Sequence, residues 1–97
     1  MRVRFTPRAR DDLEAIIDYL SNQSPSGAGN IKRTLDATVE VIGSFPDSGR
    51  LAGESGARVL PVARYPYLVY WVVEGDEAWI VHIRDGRRKP WRAGRKD

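Results

Sequence analysis

Residues 67–83 read YLVYWVVEGDEAWIVHI, and the rest of the architecture can be argued from them. Tyr67 to Val73 is an apolar run rich in aromatic and β-branched side chains, the composition of a strand. Glu74-Gly75-Asp76 reads as a turn, and Ala78 to Ile83 as a returning strand of matching length. Trp71 is expected to pack under other elements; core or cross-strand packing is also the favoured reading for Tyr70 and Trp79, with the uncovered face as their alternative.

The segments before this hairpin carry a helical period. Thr6-Pro7 signals a helix start, with Thr6 as N-cap and Pro7 at the first helical position, where its missing N–H costs nothing. Ala9, Leu13, Ile16, Ile17 and Leu20 then form one apolar stripe, and Ser24-Pro25-Ser26-Gly27 breaks the helix. A second helix is expected from about Ala28 to Ile42, with Ile31, Leu35, Val39 and Ile42 on one side and Gly43 as its stop. Arg2 to Phe5 alternates as a short first strand. Residues 45–56 are expected to be loop, and Arg58 to Ala63 an edge strand, because Pro61 removes a ladder donor. The expected fold is α+β, in the order β-α-α-β-β-β, with a four-stranded antiparallel or mixed sheet and a helical hairpin packed on one face.

With 97 residues the chain has material for one domain. That domain is placed at residues 1–91, followed by a flexible basic tail at 92–97. There is no cysteine and one histidine, which argues against disulfides, thiolate metal sites and a histidine metal site. No apolar run is long enough to span a membrane, and the first residues do not resemble a signal peptide, so a cytoplasmic setting is expected. The net charge of +3 is unevenly spread. Residues 1–81 hold nine Lys/Arg and eleven Asp/Glu, whereas residues 82–97 hold seven and two. That end of the chain suits an acidic partner.

Candidate chemistry is sparse. No Gly-rich phosphate loop precedes a helix, and no spacing supports a nucleophile with its base. Asp11/Asp12 and Asp76/Glu77 sit where a helix's opening turns and a hairpin turn call for acids on structural grounds. Tyr65, Tyr67, Tyr70, Trp71 and Trp79 form an aromatic group that suits packing better than base stacking. His82 alone titrates near neutrality without perturbation, which makes it the candidate general base. Arg84, Arg87 and Arg88 follow the last strand, and Arg64 precedes its hairpin partner. An antiparallel hairpin brings those two ends to one basic patch, to which Trp91 is added as a candidate contact.

Taken in order, these pieces resemble the RelE/ParE superfamily of bacterial toxins. The likeness is carried by Phe5-Thr-Pro-Arg-Ala9, Asp12-Leu13, Ile16 to Tyr19, Phe45-Pro46 to Gly49-Arg50, Arg64-Tyr-Pro-Tyr-Leu-Val-Tyr70, Ile80 to Ile83 and Asp85-Gly86-Arg87-Arg88. It spans about residues 3–90. RelE-like members are ribosome-dependent mRNA endonucleases, whereas ParE-like members act on DNA gyrase. Laid on this chain, the RelE pattern puts its strand lysines near Val59 and Pro61 and its key arginine on Leu68, and only its closing arginine finds a match, at Arg88. Each lost donor of that kind removes about 3–4 kcal/mol of transition-state stabilisation.

The resemblance therefore implies a ParE-like toxin of a type II toxin–antitoxin system. It would bind gyrase, block replication, and be neutralised by a ParD-like antitoxin in a hetero-oligomer. Operator DNA would be reached only through the antitoxin, and no cofactor, metal or membrane is implied. The alternative is an mRNA endonuclease with a rearranged site of His82, Arg84 and Arg88. A third reading is a plain nucleic-acid-binding module, whose binding would depend strongly on salt.

Overall fold

The hairpin forms the centre of the sheet. The computed structural model describes residues 1–53 and 55–87; Arg88, Trp91 and the tail expected at 92–97 lie outside them. In chain order the elements are β1 (Arg2–Phe5), α1 (Pro7–Gln23), α2 (Gly27–Ser44), β2 (Arg50–Leu51), β3 (Arg58–Pro61), β4 (Tyr67–Glu74) and β5 (Glu77–Asp85). The sheet order is β1-β5-β4-β3-β2. β1 runs parallel to β5 and the other pairs are antiparallel. The α+β class and the helical hairpin are as expected, but the sheet has five strands rather than four.

The β4–β5 ladder closes at Glu74 opposite Glu77, leaving Gly75-Asp76 as a two-residue turn. Gly75 has φ +60° and Asp76 stays at negative φ, the pattern of a II′ turn that matches strand twist. At the start of α1, Thr6 is extended and its hydroxyl accepts the Ala9 N–H at 3.2 Å, with Pro7 at the first helical position.

Three expectations are corrected. α2 runs through Gly43 to Ser44, so Gly43 does not stop the helix. A Cβ there would lie 3.0 Å from the Met1 carbonyl oxygen and 3.3 Å from Val3 Cγ2, so the glycine lets β1 approach the helix. β3 is not the edge strand, because β2 pairs with Arg58 and Val59 on its far side. Pro61 lies beyond the reach of β2, so its missing donor strands no β2 acceptor. Finally, the stretch expected to be loop contains β2, whose two residues are too few to show a period.

The core lies between the helices and one sheet face. Ala9 of α1, Ile31, Leu35 and Ile42 of α2, Val69 and Trp71 of β4, and Ala78, Ile80 and Ile83 of β5 are buried together. Trp71 is fully buried, and its indole N–H donates to the Pro46 carbonyl at 3.0 Å. Gly49 has φ +73°, and a Cβ on it would meet the Val59 carbonyl at 2.5 Å and Trp71 at 3.0 Å. The Phe45–Arg50 segment is thus pinned across the indole by one carbonyl and one glycine.

Candidate functional site at the seam of α1 and β5

The site begins where the parallel ladder ends. Phe5 pairs with Ile80, and the Thr6 N–H donates to the Ile80 carbonyl at 2.9 Å. Past this point β1 no longer covers β5, and a strand edge carries polar groups that need partners. α1 supplies one. Asp12 Oδ2 accepts the Ile83 N–H at 3.0 Å and lies 2.7 Å from His82 Nδ1. A side-chain carboxylate continues there what the strand left off.

A β-bulge changes the face on which His82 lies. Tyr70 pairs with His82 while Trp71 pairs with Ile80, so Val81 is the extra residue. Simple alternation would put Ala78, Ile80 and His82 on one face. The bulge instead sends Ile80 and Ile83 into the core and frees His82 from that face. His82 is 8 % exposed, and its ring stacks on Tyr70 at 6.0 Å between centroids. Tyr70 is itself buried at 3 %, in keeping with the packing expected of it. Trp79 is half-buried, with the Arg4 guanidinium 5.6 Å above its ring.

Two arginines complete the seam. Arg8 Nη2 lies 3.5 Å from His82 Nε2, and Arg84 Nη1 donates to the Tyr70 hydroxyl at 3.4 Å. Burial pushes the His82 pKa below its ordinary 6.5; the hydrogen bond and charge of Asp12 oppose this, and the charges of Arg8 and Arg84 add to it. The imidazole is therefore neutral near pH 7, with its proton on Nδ1 toward the carboxylate and its Nε2 lone pair toward Arg8. Such a ring orients and accepts.

Other sequence candidates fall at the adjoining end of the sheet. Arg64 is exposed, in the turn between β3 and β4, at φ 69°. The Gly86 N–H donates to the Pro66 carbonyl at 2.6 Å, and Tyr67 pairs with Asp85, so that turn and the end of β5 share one rim. Arg87 is fastened to Asp85, Nε to Oδ1 at 3.1 Å and Nη2 to Oδ2 at 2.8 Å. Of the proposed nuclease trio, His82 and Arg84 lie two rungs apart on β5, with Ile83 between them, and Arg88 lies outside the described residues. Among the described residues, no group of three or more His, Cys, Asp or Glu is gathered to hold a metal ion. No helix among them is long and apolar enough to cross a membrane.

Arg8, Asp12 and Tyr70 were not read as site residues from sequence, and Asp12 left a signal. It stands three residues after Ala9 and four before Ile16, beside the apolar stripe, where a carboxylate needs a buried donor.

A family model described as the ParE toxin of the type II toxin–antitoxin system, parDE, matches residues 3–90. Toxin RelE2 of Caulobacter vibrioides is 32 % identical over 87 residues, covering 90 % of this chain and 97 % of that protein. A solved structure titled as the chromosomal ParDE toxin–antitoxin system from P. aeruginosa superposes with a TM-score of 0.79 at 26 % identity, covering 88 % of this chain and 95 % of that one.

Proposed function

Because this chain belongs to the ParE toxin family of type II toxin–antitoxin systems, we propose that it arrests growth by engaging DNA gyrase and that a ParD-like antitoxin neutralises it. The observation that carries the gyrase reading is what stands at the RelE-like positions. Val59 is 2 % exposed, and Pro61 and Leu68 are its fellows on the paired strands β3 and β4. None of the three donates a side-chain proton or binds a phosphate. The surface offered to gyrase is the basic rim of Arg64, Arg84 and Arg87; the other two candidates, Arg88 and Trp91, lie outside the described residues. Exposed guanidiniums steer an acidic partner and lose that effect as salt is raised.

One observation favours a second reading. Asp12 on His82 Nδ1 is the arrangement that orients an imidazole as a general base. On an RNA substrate, Nε2 would take the proton of a 2′-hydroxyl as its oxygen attacks the adjacent phosphorus and the 5′-oxygen leaves. Arg8 at Nε2 and the 8 % exposure of the ring count against it.

A supercoiling assay with purified gyrase, run beside mRNA cleavage on translating ribosomes, separates the two. Inhibited gyrase with intact mRNA is the expected result. Cut mRNA with unaffected gyrase overturns the first reading in favour of the second.

A further inference from the structure

Helical spacing lines up Arg8, Asp12, Ala15 and Tyr19 along one side of α1. The first two meet β5 at His82 and Ile83. Tyr19, 58 % exposed, follows Asp12 two turns further along that side of α1. α1 and β5 therefore run side by side in the same direction, and the seam between them carries Arg8, Arg84 and Arg87 with one exposed aromatic ring.

Within this seam the stacked Tyr70–His82 pair holds an arginine at each ring, Arg84 on the phenol and Arg8 on the imidazole. The charges of both arginines act on the same imidazole. Two positive groups around one neutral ring suit an oxyanion.

The surroundings select which oxyanion. Asp11, Glu14 and Asp18 lie exposed on α1, and Asp12 and Asp85 line the seam itself. A nucleic-acid strand carries a phosphate at every residue and would run its dense charge past these five carboxylates. A single carboxylate with an apolar neighbour meets the arginines and Tyr19 without that repulsion. We propose that Arg8 and Arg84, each held by one ring of the stacked Tyr70–His82 pair, clamp one carboxylate of the antitoxin, with Tyr19 receiving an apolar side chain farther along the same antitoxin segment. This rests on the antitoxin half of the proposed function and is independent of gyrase. Because Arg84 also belongs to the basic rim, an antitoxin seated here covers part of the surface offered to the target.

The test is calorimetry with the purified ParD-like antitoxin and wild-type, Arg8→Gln, Arg84→Gln and Arg33→Gln toxins, with thermal melts to check folding. Arg33 lies on α2, away from the seam, as a control. Each seam variant should bind roughly 10- to 100-fold more weakly, the scale of a lost hydrogen bond to a charged group, and Arg33→Gln should bind as wild type. Arg8→Gln should still inhibit gyrase while resisting neutralisation. Folded seam variants that bind the antitoxin normally overturn the clamp, as does an oligonucleotide whose binding needs Arg8 and Arg84. If a variant fails to fold, the His82 titration in wild-type toxin decides by NMR. A carboxylate arriving between the arginines raises its midpoint in the complex, and an unmoved midpoint overturns the proposal. A wild-type toxin that leaves gyrase untouched while needing Arg8 and Arg84 for its antitoxin sinks the gyrase reading alone.

Discussion

The two halves of β5 are secured in different ways. From Glu77 to Ile80 the strand lies between β1 and β4, with backbone ladders on both sides. From His82 to Asp85 it keeps β4 on one side, while on the other the Asp12 carboxylate takes the Ile83 N–H. The first half depends on regular pairing and buried apolar side chains. The second depends on a bulge and a few polar side chains, each with a chemical identity that can be altered singly. The recognition chemistry proposed above lies at the second half, because a continuous ladder leaves no opening for side chains from another element to meet the strand.

Substitutions at four sites probe this difference. Ile80→Ala, in the first half, empties a fully buried site and should cost about 2–5 kcal/mol in denaturant unfolding. Asp12→Ala, in the second, leaves the Ile83 N–H and the His82 Nδ1–H without their acceptor and should cost about 1–3 kcal/mol. A cost as large as that of Ile80→Ala would mean that the polar half is as rigidly built as the apolar one. Asp12→Asn retains an acceptor oxygen and should cost less. It removes the negative charge that helps to raise the His82 pKa, so the NMR titration midpoint should move still lower.

The third probe is pH. A histidine whose pKa is lowered on folding contributes stability that is complete above its ordinary 6.5 and is lost as pH falls through 6.5 toward the native value. His82→Gln should flatten stability against pH across that window. An unchanged slope would place the titrating group elsewhere. The smallest effect belongs to Arg4→Ala, which removes the partly exposed Arg4–Glu77 ion pair from the first half. Its cost should be about 0–1 kcal/mol, and a larger loss would show that side chains matter to the laddered half as well.

The division also explains what could be read from the residues alone. Both helices, the Thr6-Pro7 start and the central hairpin were legible because period, caps and turn residues are local signals. β2 was not, because two residues have no period and owe their pairing to β3. The bulge at Val81 was hidden in an alternation that looked regular, and with it the approach of His82 to α1. Arg8 and Asp12 lie 74 and 70 positions from His82, so no spacing rule joins them. Only the placement of Asp12 beside an apolar stripe hinted at a distant donor.

The parallel pairing of β1 with β5 bears on how the molecule is made. Every β1–β5 partner is 75 positions from its mate, so the sheet is completed by closing a loop that contains most of the chain. Contacts of such high sequence separation slow folding, because the entropy of loop closure is lost before the contact is gained. Synthesis proceeds from β1 toward β5, so the helices emerge while the strand that completes the sheet is still unmade. The seam draws Arg8 and Asp12 from the beginning of this span and His82 and Arg84 from its end. A growing chain therefore cannot assemble this seam until β5 has left the ribosome, and a partner that reads it would recognise finished toxin and ignore the nascent chain.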